Sequence, residues 1–262
     1  MPNSTEFGIF MTINSKKQPI LGMIIMAKDF NHPKVVEIYD EHIRSLIPAY
    51  ELVHLQIQAI LTTHLKPNAK ILIAGCGTGY ELQYLANQFP EAQFVAIDPS
   101  LNMIESAKQR LAKTTDIDRV TFIHGDTSIL ADDQYCYCNE FDAVLAILVA
   151  HFIAEPAKTK FFNDLNQSLK KQGVLITYDL MQMDQCTQLI LFHLTQYNGL
   201  TEKQSLNMID RLEDDFALID AAEMKKNLMQ CGFENVQCYM QILGFHGFYA
   251  YKASGNQLNS NT

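Results

Sequence analysis

Three glycines, Gly75, Gly77 and Gly79, follow the apolar run Ile71–Ala74 and precede a helix-like segment, Tyr80–Gln88. Strand, tight glycine turn and helix together bring bare backbone against a ligand, because glycine has no Cβ and tolerates positive φ. The spacing is Gly-x-Gly-x-Gly. The dinucleotide fingerprint is Gly-x-Gly-x-x-Gly, and Tyr80 stands at its third glycine, which argues against NAD. Two carboxylates occupy comparable places further on. Asp98 ends the run Phe94–Ile97 and can accept two hydrogen bonds from a ribose diol. Asp126 follows Val120–His124 and can take the exocyclic amine of an adenine. His151, Tyr178 and Asp179 follow two later apolar runs and are the candidates for proton transfer, histidine being suited to it near neutral pH. Plainer roles exist for each: a helix cap or turn for the carboxylates, and a satisfied histidine at a helix start.

The elements that must position these groups alternate. Strands are expected at 71–74, 93–97, 120–124, 141–147 and 173–178, and helices at 80–88, 100–111 and 155–169. Apolar strands alternating with amphipathic helices predict a doubly wound, Rossmann-like α/β sheet. Ahead of it, 35–65 reads as helix with a break near Ile47-Pro48. After it, Asp184–Tyr197 and Thr201–Leu212 read as two helices with no strand between them, forming a cap at about 183–215 over an acceptor pocket. A helix at 221–231 stops at Gly232, and strands at 235–243 and 245–252 form a closing antiparallel hairpin. The sheet then has about seven strands.

The 262 residues are 48% apolar, enough for one α/β core, and the net charge of −9 disfavours broad nucleic-acid binding. Six cysteines lie scattered, and Cys136-x-Cys138 has no second pair, so neither zinc nor any other metal is expected. Free thiols suit the cytoplasm. The apolar stretch 19–26 is far shorter than a membrane span of ~20 residues. Residues 1–28 read as a flexible extension, 29–252 as a single domain and 253–262 as a disordered tail. The acidic cluster Asp210, Glu213, Asp214 and Asp215 reads as a solvated face; turned to the pocket mouth it would favour a cationic acceptor.

The order Gly-x-Gly-x-Gly, Asp98-Pro-Ser-x-x-Met103, Gly125-Asp126, Phe141-Asp-Ala-Val144 and a closing hairpin resembles the class I S-adenosylmethionine-dependent methyltransferases. The resemblance covers about 30–252. It implies S-adenosyl-L-methionine as cofactor and a small-molecule methyl acceptor. Gly75, Cys76 and Gly77 would pass under the methionine part, with Gly79 completing the turn. Asp98 would hold the ribose, with Pro99 beside the adenine. Asp126 would bond the adenine amine with Thr127 alongside, and Ile147 and Leu148 would lie near the sulfonium. No membrane partner is expected, and a homodimer is left open.

A narrower resemblance joins Ile47-Pro48-Ala49-Tyr50 to the Ile-Pro-Gly-Tyr segment of the carboxy-S-adenosylmethionine synthases, which makes Tyr50 a candidate contact to the methionine end. Two departures separate the chain from them. Ile147 stands where the synthases carry asparagine. Ile209 aligns with their carboxylate-gripping arginine, and Arg211 two residues later falls on nearly the opposite helix face. The primary expectation is therefore in-line methyl transfer. Synthase-like chemistry, intramolecular cofactor cleavage or cyclisation, and a non-catalytic cofactor-binding protein stay open beside it.

Overall fold

A computed structural model describes residues 30–113 and 117–254. Residues 1–28, expected to be an extension, and 255–262 of the expected tail lie outside the described residues.

Seven strands form one sheet: β1 (Lys70–Ala74), β2 (Gln93–Asp98), β3 (Val120–His124), β4 (Phe141–Ile147), β5 (Leu169–Leu180), β6 (Phe233–Ile242) and β7 (Phe245–Lys252). Their order is β3-β2-β1-β4-β5-β7-β6. β1 to β5 run parallel, and β7 pairs antiparallel with both β5 and β6. The order reverses between β1 and β4. Ligands of open α/β sheets bind at such a reversal, beyond the carboxyl ends of the strands.

The inner strands are apolar on both faces, so helices must cover both. One face carries α2 (Tyr50–His64), α3 (Tyr80–Gln88) and α4 (Leu101–Leu111), with Ile57, Leu82, Leu85 and Leu111 buried against Ile71, Ile73 and Ile176. The other carries α5 (Ala157–Ser168) and α9 (Ala221–Gln230), with Phe162, Leu165 and Leu228 packed on Leu72, Val144 and Leu175. Helix starts follow local chemistry. Ser100 accepts from the Met103 amide at 3.2 Å, Asp184 from Thr187 at 2.7 Å and Asp220 from Glu223 at 2.7 Å.

The early helical stretch is α1 (Pro33–Leu46) and α2, parted at Ile47–Ala49 where the break was expected, and Ala49 there has φ +54. Two later boundaries differ from expectation. β5 runs on past Tyr178 to Leu180, because β7 pairs with it as far as Phe245. The cap is α6 (Gln185–Tyr197) followed by α7 (Glu202–Asp210) and a short α8 (Leu212–Asp215), broken at Arg211. None of the described helices is long and apolar enough to cross a membrane.

Candidate active site

The glycine turn leaves β1 directly. Gly75, Gly77 and Gly79 have φ of +77, +51 and +80. The Gly75 and Cys76 amides donate to the Ile97 carbonyl at 2.8 and 3.0 Å, which ties the turn to β2. A Cβ on Gly79 would lie 2.8 Å from the Ala107 Cβ, so this glycine lets α3 close on α4. A Cβ on Gly77 would meet nothing within 4 Å, so the middle of the turn is bare backbone facing open space.

Asp98 ends β2 beside that turn and is buried. Its Oδ2 accepts from the Gly77 amide at 2.9 Å and its Oδ1 from the Ser100 amide at 2.8 Å. Each oxygen keeps a further lone pair, the requirement for gripping a diol. Burial raises the Asp98 pKa, and the two amides pull against that rise. Pro99 next to it is exposed, its carbonyl 3.0 Å from the His124 Nε2. Asp126 follows β3, exposed, and caps the turn at Thr127–Ala131: its Oδ1 accepts from the Ser128 amide at 2.8 Å and hydroxyl at 2.5 Å. These bonds lower its pKa. The Thr127 side chain is buried and turned to Asp164, 3.3 Å away. Bare turn, anchored diol acceptor and exposed second carboxylate sit on neighbouring strand ends, so the residues present fit S-adenosylmethionine.

A cavity adjoins this edge under α1 and the cap. Leu148, directly after β4, forms part of its wall, with φ +59 and its amide 2.6 Å from the Tyr178 carbonyl. A leucine in the left-handed region is strained, and such residues cluster at functional sites. Ile147 is buried just before it. His151 also lines the wall. Its Nδ1 lies 2.9 Å from Asp179 Oδ1, and its amide donates to the same oxygen at 3.2 Å. Both side chains are buried. The Leu180 amide is 3.4 Å from Nδ1, much the weaker contact, so the Asp179 bond assigns Nδ1 as donor and leaves Nε2 as the acceptor nitrogen.

The three residues expected to transfer protons are thus not all together. His151 and Asp179 meet. Tyr178 points to the opposite face of β5, fully buried and stacked on Phe245 at 6.0 Å, with its hydroxyl unpartnered among the described residues. Burial raises its pKa, and it is absent from the cavity wall. Tyr50 is buried at the start of α2, its ring 4.4 Å from His54 and 5.6 Å from Tyr80. The Arg44 guanidinium lies 4.6 Å over Tyr80 and 5.5 Å over Tyr50. In the acidic cluster, Asp210, Glu213 and Asp214 are exposed, while Asp215 is buried in the cavity wall and paired with Arg211 at 2.9 Å.

Several groups here had no signal in the sequence. Tyr39 lines the cavity, and its pKa is raised by desolvation and by the Glu81 and Asp98 carboxylates, which places it between cavity and glycine turn. Glu81, in the first turn of α3, lies 3.7 Å from His54. Burial pushes its carboxyl up to about 7 and His54 down to about 4. Lys158 is buried in α5 and donates to the Ala217 carbonyl at 2.7 Å, and the Ala217 amide donates to the His151 carbonyl at 2.8 Å. Among the described residues no cluster of His, Cys, Asp and Glu could hold a metal.

A methyltransferase-domain model matches residues 72–175. A carboxy-S-adenosyl-L-methionine synthase of Desulfotalea psychrophila is 26% identical over 248 residues, covering 92% of this chain and 99% of its own. A malonyl-[acyl-carrier protein] O-methyltransferase of Priestia megaterium is 30% identical over 148 residues, 56% of this chain and 45% of that one. Among solved structures, a Haemonchus contortus phosphoethanolamine N-methyltransferase with S-adenosyl-L-methionine superposes with a TM-score of 0.62 at 16% identity, over 90% of this chain and 60% of that one. Sheet order, glycine turn and these matches agree on a class I methyltransferase fold with a methyltransferase domain over residues 72–175, and on S-adenosyl-L-methionine as the cofactor.

Proposed function

We propose that this enzyme transfers the methyl group of S-adenosylmethionine to a small-molecule acceptor, with His151 taking the acceptor's proton. The observation that carries the reading is the buried His151–Asp179 pair, 2.9 Å apart, with His151 in the wall of a cavity beside the cofactor edge. The cofactor supplies a methyl group already activated on a sulfonium, so the protein's work is alignment, water exclusion and proton removal. Asp98 and the Gly75–Gly79 backbone hold the nucleoside side, with Asp126 and Pro99 at the adenine. Tyr50 remains a proposed support of the methionine end, acting through Tyr80 and Arg44. Asp179 holds His151 in the tautomer with Nε2 free, and Lys158 fixes the His151 backbone through Ala217. A base oriented by a buried carboxylate contributes about 10²–10⁴ in rate.

The test is release of S-adenosylhomocysteine against a metabolite pool, with calorimetry of S-adenosylhomocysteine binding alongside. His151→Gln is expected to lose about 10²-fold or more in kcat and to keep its affinity for S-adenosylhomocysteine. Equal turnover removes His151 from the chemistry. No release from any acceptor removes methyl transfer.

A second reading, synthase-like chemistry on a carboxylated cofactor, is favoured by the end-to-end match to the Desulfotalea relative. Against it, the cavity wall holds no lysine or arginine among the described residues, and Arg211 is spent on Asp215. Mass spectrometry of the co-purifying nucleoside separates the two.

A further inference from the structure

Resting on methyl transfer at this site, we propose that the acceptor is a neutral molecule with an apolar body and a hydroxyl on an aromatic or enolic carbon. The walls are mostly apolar: α1 contributes Ile43, the cap Leu191, Met208 and Leu212, and the sheet edge Leu180 and Phe245, with Tyr39, His42, His151 and Asp215 the polar members. An array of rings closes one end, Phe152 lying 5.4 Å from Phe30 and 5.1 Å from Phe216, both in tilted or edge-on contact. Such an array suits a flat apolar body.

Charge narrows the class. An anionic acceptor would meet no lysine or arginine among the described wall residues and would face the Asp215 carboxylate. A cationic acceptor would find that carboxylate already matched, with Arg211 Nη2 at 3.0 Å from Oδ1 and 2.9 Å from Oδ2. Either ion would be buried mostly against hydrocarbon with no fixed opposite charge left for it, only the neutral polar groups of Tyr39, His42 and His151, an expensive arrangement.

Proton transfer narrows it again. To one and the same base, a phenol, titrating near 10, gives up its proton about five to six powers of ten more readily than a saturated alcohol, which is close to water at about 15.7. In the step, the acceptor O–H bond breaks and its proton passes to His151 Nε2. The oxygen bonds the methyl carbon, the C–S electron pair stays on sulfur, and the imidazolium then returns its proton to water.

The experiment uses the full chain and four ligands sharing one ring and ethyl group: 4-ethylphenol, 4-ethylbenzyl alcohol, 4-ethylbenzoate and 4-ethylbenzylamine. Calorimetry on the S-adenosylhomocysteine-loaded protein should show the two neutral ligands binding at least about tenfold more tightly than the two ions. With S-adenosylmethionine, the phenol should be methylated at least about 100-fold faster than the benzyl alcohol. Leu212→Glu should weaken phenol binding more than about tenfold and leave S-adenosylhomocysteine binding unchanged. Tighter binding of either ion, a bound phenol that is not methylated, or equal rates for phenol and alcohol overturns the assignment. Failure of S-adenosylhomocysteine to bind instead removes the underlying reading, whereas methylation of the benzylamine alone removes only the acceptor class.

Discussion

The buried His54–Glu81 pair makes a prediction in which the sign carries the test. Burial drives Glu81 up to about 7 and His54 down to about 4, so both side chains are neutral between those values although they lie 3.7 Å apart. Each departure from the ordinary value is equivalent to roughly 3 kcal/mol. The unfolded histidine titrates near 6.5, so between about 4 and 6.5 the unfolded chain holds a proton the folded one lacks, and stability rises with pH. For Glu81 the order reverses: between about 4.5 and 7 the folded chain holds the extra proton, and stability falls with pH. The windows overlap and the two terms offset each other, so the intact pair is nearly silent. Removing one partner exposes the other. The stability of Glu81→Gln relative to the parent should climb by about 3 kcal/mol from pH 4.5 to 7.5, and that of His54→Gln should fall by a similar amount from pH 4 to 6.5. Urea unfolding at four pH values measures both difference curves, with titrations elsewhere in the chain subtracted by the parent. A charged ion pair would shift the two groups the other way and invert both slopes. Inverted or flat curves would therefore refute the neutral pair.

Two further substitutions read single residues. Asp98→Ala removes the two carboxylate oxygens proposed to hold the ribose; at about 1.5–3 kcal/mol each, affinity for S-adenosylhomocysteine should fall roughly 10²–10⁴-fold, and unchanged calorimetric affinity would take Asp98 out of the site. Ala49→Gly should stabilise the protein. Ala49 is exposed with φ +54, a strain of roughly 1–2 kcal/mol for an L-residue, against which glycine's extra chain entropy returns about 0.5–1. A net gain of ~0.5–1 kcal/mol, a rise of roughly 1–4 °C in Tm, is expected, and a drop would mean that the Ala49 methyl makes a contact worth more than the strain.

What was legible in the sequence is what one stretch of backbone decides alone. β3, β4 and β7 have the boundaries the apolar runs mark, and β4, a central parallel strand buried on both faces, reads as a nearly unbroken apolar run. The glycine turn with Asp98 is equally local: Gly77 and Asp98 are joined through β1 and β2, whose register follows from the strand ends. Elements acting in pairs were harder. Tyr178 and Asp179 are adjacent on a strand, so their side chains take opposite faces and only one can meet His151; strand alternation contains that constraint once β5 is known to continue to Leu180. That continuation comes from β7, some 70 residues later, and no local pattern announces it. Glu81 and His54 meet across α2 and α3, and Lys158 reaches Ala217 from another helix, so none forms a motif at any fixed spacing. The acidic cluster shows the same limit: four carboxylates look alike in sequence, and the break at Arg211 turns Asp215 alone into the cavity wall. The cofactor edge is written in short local motifs at strand ends, while the cavity proposed to take the acceptor is assembled from α1, the cap and two strand ends. Its selectivity follows from how those pieces meet, which is why ligands differing only in charge and hydroxyl acidity discriminate where motifs do not.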